Sequence, residues 1–158
     1  MSLNIELRSA TLADTGALQE SVWPERSFTT VRELLERAEE LERRGRGQGL
    51  VAVSTSPGAR VVAFGLLTLW PRTCEISDLA VAADLRRQGI GTTMILTLIE
   101  HARMLNMSSV EIGAAQSNPH ALRLYRRLGF QDNRTIDMDL GNGLEPVLYL
   151  SLVLRSIG

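Results

Sequence analysis

Apolar residues along the chain recur with two different periods, and the switches between them mark out its elements. Ile5 to Arg8 reads as a short first strand. Thr11 with Asp14 three residues later is a helix start of the capping-box kind, followed by Leu12, Ala17, Leu18 and Val22 at helical spacing. Pro24 interrupts, which leaves Trp23 to Thr29 as a connecting loop. A second helix begins at Thr30, with Glu33 completing its box. Its apolar stripe is Val31, Leu34, Leu35, Ala38 and Leu41, and Gly45 is its stop. Leu50 to Ser54 and Arg60 to Trp70 are β-rich runs around Ser56-Pro57-Gly58, a hairpin signature, and Thr73 to Val81 is a further strand.

Helical periodicity returns from about Gly89 to Asn106, where Met94, Ile95, Leu98, Ile99, Ala102 and Leu105 share one face. Ser108 to Gly113 is a strand. Asn118-Pro119 opens a helix that stops at Gly129. Arg134 to Leu140 and Pro146 to Leu154 are two closing strands around Gly141-Asn142-Gly143. The order β-α-α-β-β-β-α-β-α-β-β is mixed α/β, and no linker or repeat splits it, so residues 1–158 are expected to form one domain.

Composition narrows the chemistry. Seventeen Lys plus Arg against eighteen Asp plus Glu leave a net charge of −1, so no global basic field draws nucleic acid or an anionic membrane. Cys74 is the only cysteine, and His101 and His120 are the only histidines. An intrachain disulfide and thiolate metal clusters are excluded, and no metal is expected. The apolar run Val61 to Trp70 is far shorter than the roughly 20 residues of a bilayer span. The N-terminal residues lack the apolar core of a signal peptide, so a cytoplasmic location is expected.

The richest stretch is the strand ending at Val81, a short linker, and Arg86-Arg-Gln-Gly-Ile-Gly-Thr92 leading into the long helix. Backbone N–H groups at a helix start have no intrahelical partner, and the helix dipole favours negative charge there. Gly89 and Gly91 remove side chains that would block a phosphate, while Arg86 and Arg87 add charge. The spacing is neither a Walker A loop nor the dinucleotide G-x-G-x-x-G. Phosphate or diphosphate binding is the chemistry it points to.

Leu79-Ala-Val81, Arg86-x-x-Gly89-x-Gly91, then Ser117-Asn118 and Ala121-Leu-Arg-Leu-Tyr125-Arg-Arg-Leu-Gly129-Phe130 together resemble the GNAT superfamily of acyl-CoA-dependent N-acyltransferases. Both halves of the family pattern occur in order, and the element order over the chain also agrees. The resemblance implies a GNAT-like α/β fold: a mostly antiparallel sheet of about seven strands, with one splayed parallel pair and about four helices. It implies acetyl-CoA as co-substrate, wedged between the strands around Cys74–Val81 and Ser108–Gly113. Backbone groups of Leu79, Ala80 and Val81 would then pair with the pantetheine arm, the Leu79 N–H facing the thioester carbonyl. Arg86 and the N–H groups of Arg87, Gln88, Gly89, Ile90, Gly91 and Thr92 would hold the diphosphate. Asn118 would lie near the pantetheine besides capping its helix, and Tyr125 would protonate the departing thiolate as well as bind the cofactor.

Glu75 aligns with a position where some family members carry a glutamate base, with Asp78 as the second carboxylate. Members that acetylate a ribosomal N-terminus keep a glutamate where this chain has Gly113, with Glu111 two residues earlier, so that arrangement does not carry over. Cys74, His101 and His120 are assigned no chemical role. The resemblance makes the loop carrying Trp23, Glu25 and Arg26 a candidate wall for the acceptor. The implied function is acetyl transfer to a primary amine of a small molecule or peptide by direct attack, with a homodimer as one assembly. The alternative is an acyl-CoA-binding sensor with weak or no catalysis.

Overall fold

The computed structural model describes residues 4–56 and 58–154, so Pro57 of the hairpin signature lies outside the described residues. The strands are β1 (Ile5–Ser9), β2 (Gly47–Ser54), β3 (Arg60–Leu69), β4 (Thr73–Val81), β5 (Ser109–Ala115), β6 (Gln131–Asp139) and β7 (Leu144–Val153). The helices are α1 (Thr15–Ser21), α2 (Phe28–Arg43), α3 (Ile90–Met104) and α4 (Pro119–Arg127). Short 3-10 turns, Leu12–Asp14 and Ala83–Leu85, precede α1 and α3. The strands form one sheet in the order β1-β2-β3-β4-β5-β7-β6. Among the described residues only β4 and β5 run parallel; every other pair is antiparallel. The expected mixed sheet with one parallel pair is therefore present, in agreement with the resemblance.

The elements follow the apolar pattern, with shifted boundaries. Helix α2 begins at Phe28 rather than Thr30, because the Ser27 hydroxyl accepts the Thr30 N–H and caps the helix. The Thr11–Asp14 pair starts a 3-10 turn, where the Asp14 carboxylate accepts the Thr11 N–H at 2.8 Å and a two-pronged bond from Arg8. Strand β2 starts at Gly47, since Gly47 and Gln48 pair with Thr68 and Leu67. Leu105, expected on the buried face of α3, is 52% exposed because the helix ends at Met104. Two cores result. Leu98, Ile95, Met94 and Ala102 of α3 and Leu122 of α4 cover one face of the sheet, and α1 and α2 cover Phe64 and Leu66 on the other.

The junction of β3 with β4 positions the site. Phe64 pairs with Ala80 and Leu66 with Ser77, so Gly65 alone opposes the two residues Asp78 and Leu79. Such a bulge bends its strand and raises the local twist. Asp78 takes the left-handed conformation, at φ 55°, which aspartate tolerates better than most side chains. Parallel pairing stops at Ile76 with Ile112, while β5 runs on against β7 to Ala115. Beyond Ile76, β4 has left its neighbour.

Gly65 lets the bend close. A Cβ there would sit 3.2 Å from both Leu79 Cδ1 and Leu98 Cδ1. Gly65→Val is expected to destabilise the protein by about 1–3 kcal/mol through overpacking. Urea unfolding reads this as a lower midpoint; an unchanged midpoint would mean that Leu79 and Leu98 do not hold the bend.

Candidate active site

Where β4 leaves β5, the chain encloses a cavity of about 740 Å³. Leu79, Ala80 and Val81 form one wall, and Gly89, Ile90, Gly91 and Thr92 at the start of α3 form the second. The third comes from α4 with Asn118, Ala121, Leu124 and Tyr125. The residues from β4 lie beyond its last pairing with β5, so that edge of the strand offers backbone groups to whatever lies beside it.

The turn into α3 suits an anion. Arg87 and Gly89 both have positive φ, 65° and 86°, which helps turn successive N–H groups to one side. Gly89 is the N-cap and makes no side-chain cap bond, so the N–H groups of the first turn have no intrahelical acceptor. A Cβ on Gly91 would meet only Val81 Cγ2, at 3.8 Å. The turn before it is anchored by a two-pronged Arg60–Asp84 pair at 2.9 and 3.0 Å. Arg86 donates to the Val81 carbonyl at 3.3 Å. The lining holds Arg86, Arg87 and Arg127 and no carboxylate.

Asn118 does cap α4, its Oδ1 accepting the Ala121 N–H at 3.2 Å, and it also lines the cavity. Tyr125 is 7% exposed, with its ring 6.3 Å from that of Phe130. Burial pushes its phenol up, so it stays protonated and can donate. Of the expected cofactor-binding residues, Gln88 alone is absent from the lining; it is exposed. Leu85, His120 and Arg127 line the cavity without having been assigned to it. The signal for the last two was the spacing of His120, Leu124 and Arg127, which places them on one helical face.

Glu75 lies elsewhere. Its neighbours Cys74 and Ile76 point into the core beneath α3, so Glu75 projects from the opposite face of the sheet. There it opposes Glu111 across the parallel pair. Burial raises the Glu75 carboxyl above the usual range, Glu111 and Asp78 push the same way, and Arg37 and Arg134 oppose them. Arg134 donates to Glu111 at 2.7 Å, and its guanidinium lies 4.8 Å from the centre of the Tyr149 ring. Tyr149 was not singled out from the sequence. Its ring fills the space beside Gly113, where a Cβ would come within 2.8 Å of it.

The remaining candidates take structural positions. Trp23 is 4% exposed and packs on Phe64 at 5.6 Å, with Arg26 over its ring; it belongs to the core rather than lining an open wall. Cys74 is buried, and burial pushes its thiol up to about 12, far from a working nucleophile. Among the described residues no group of three or more His, Cys, Asp or Glu could hold a metal, and no helix is long and apolar enough to cross a membrane.

Comparison with known proteins bears on this geometry. The Acetyltransferase (GNAT) family model matches residues 14–130. The uncharacterized N-acetyltransferase YvbK of Bacillus subtilis is 39% identical over 68 residues, 43% of this chain and 44% of that protein. Spermine/spermidine N(1)-acetyltransferase of Bacillus subtilis is 36% identical over 53 residues, 33% of this chain and 35% of that protein. Each match thus spans less than half of the curated relative. The structure of yncA from Salmonella typhimurium, with its cofactor acetyl-CoA, superposes with a TM-score of 0.74 at 21% identity. It covers 98% of this chain and 96% of its own, a likeness of fold.

Gly91 offers a clean test of the anion turn, because a side chain there has room in the protein itself. Gly91→Val is expected to leave thermal unfolding nearly unchanged and to weaken CoA binding at least about tenfold, or about 1.4 kcal/mol. Calorimetric titration checks this. Unchanged affinity would remove the diphosphate from the turn.

Proposed function

The chain belongs to the Acetyltransferase (GNAT) family, and from that premise we propose that it moves an acetyl group from acetyl-CoA to a primary amine. The observation that carries this reading is the arginine-rich cavity at the parting of β4 and β5. It combines an unpaired strand edge, a glycine-opened helix start and a buried phenol, which suits a ligand with an extended polar arm and a diphosphate. When bound, acetyl-CoA would supply the acetyl group as an activated thioester.

The chain's own residues would do the rest. Leu79, Ala80 and Val81 pair with the arm as a neighbouring strand would, and the N–H groups from Arg87 to Thr92 hold the diphosphate with Arg86. The Leu79 N–H stabilises the negative charge that grows on the carbonyl oxygen. Tyr125 donates its proton to the leaving thiolate. Glu75, on the opposite face of the sheet, takes the proton of the amine through water, so amine and cofactor approach from the two faces and meet at the parting. Attack is direct, within a ternary complex. The setting we propose is the cytoplasm, with no metal, nucleic-acid or membrane partner; a second copy of the chain is the proposed protein partner, to be checked by light scattering.

Thiol release from acetyl-CoA across peptides, polyamines and aminoglycosides tests the activity, and tight binding without turnover on any amine would contradict it. Tyr125→Phe is expected to lower kcat about 100-fold while changing CoA affinity little; an equal rate would return Tyr125 to the core. The pH profile follows from the raised Glu75 carboxyl. A base works only when ionised, so turnover should fall as pH drops through a value above the ordinary carboxylate range. Glu75→Gln should lower kcat and remove that acid limb; a retained limb would assign it to another group.

A further inference from the structure

Glu75 and Glu111 are direct partners in the parallel register of β4 and β5, and adjacent strands lie only about 4.8 Å apart. The negative charge of Glu111 there disfavours ionisation of Glu75. Glu111 is not left alone, however. Its Oε1 accepts from Arg134 at 2.7 Å, and Asn133 Nδ2 stands 3.5 Å from its Oε2. Arg134 is placed by a second contact, the face of Tyr149, and Tyr149 can lie flat there because residue 113 is glycine. The chain thus commits residues of β5, β6 and β7 to one guanidinium beside one carboxylate.

Other groups face Glu75 as well. Asp78 on β4 adds negative charge, Arg37 of α2 adds positive charge, and the Tyr149 phenol is near enough to be raised by Glu75. Thr68, the partner of Glu75 on β3, brings a hydroxyl that is buried and has no hydrogen-bond partner. Of these groups, Arg134 alone pairs with Glu111, the carboxylate directly beside Glu75. Arg37 and Asp78 act on Glu75 with opposite signs.

We propose that Arg134 is a positioning residue: by pairing with Glu111 it keeps the neighbouring Glu75 an ionised carboxylate able to take the amine's proton. Arg134 itself need touch neither substrate nor cofactor. This inference rests on Glu75 as the base, and its test separates the two.

The experiment titrates the Glu75 carboxyl by carbon-13 NMR in the full chain without substrate, the resonance being assigned by its loss in E75Q. The acid limb of kcat is measured alongside. R134Q should raise the Glu75 midpoint and the acid limb by about one pH unit, since an opposite charge is removed and Glu111 is left unpaired. E111Q should lower both, and E111Q/R134Q should return them close to the parent values. These conservative replacements, at exposed Arg134 and half-buried Glu111, are checked for folding by thermal unfolding. Midpoints that stay put in R134Q and E111Q would overturn the inference, even if E75Q abolishes turnover. Normal turnover in E75Q would overturn the base, while the NMR titration would still decide whether Arg134 tunes the carboxyl.

Discussion

One extra residue in β4 decides where the sheet opens. With Asp78 and Leu79 set against Gly65, the strand can no longer follow both neighbours, and it keeps β3 while losing β5 after Ile76. The cost of that bend falls on Asp78 in the left-handed region, and glycine at position 65 leaves the space that Leu79 and Leu98 need. What the bend provides is a strand edge no longer paired with β5, inside the protein rather than at its rim, with the start of α3 behind it and α4 across from it. An added strand-like ligand can then make hydrogen bonds that the chain itself does not use.

Charge is divided between the two faces of the sheet around this opening. The cavity under α3 and α4 carries Arg86, Arg87 and Arg127 without a carboxylate. The opposite face gathers Glu75, Glu111 and Asp78 near Arg134 and Arg37. A net charge of −1 averages these two environments away. The absent global basic field therefore never argued against a polyanionic ligand, because a helix start and a few arginines bind one locally.

The half of the site built from local geometry was legible in the sequence. Arg86-x-x-Gly89-x-Gly91 and Asn118 to Tyr125 each fall within one turn-and-helix segment, where spacing along the chain is spacing in space. The other half was not. Glu75 was named from the resemblance, but its neighbours Glu111, Arg134 and Tyr149 join it only through strand register, and a single bulge changes which residues face each other. Gly113 read as a missing glutamate, whereas its consequence is the seat of the Tyr149 ring. Smaller shifts fall at element ends. Thr30 with Glu33 has the sequence of a box, yet the Ser27 hydroxyl is the cap, and the strand expected from Leu50 begins at Gly47 because Gly47 and Gln48 pair with Thr68 and Leu67.

The open edge of β4 and the turn into α3 are proposed to act together as the coenzyme's seat. Amide proton–nitrogen NMR of the full chain, titrated with CoA, reads both at once. The predicted result is a saturable change confined mainly to the amides of residues 79–81 and 87–92, with smaller effects along α4. Binding that leaves those amides unmoved and shifts residues on the face of α1 and α2 would contradict it.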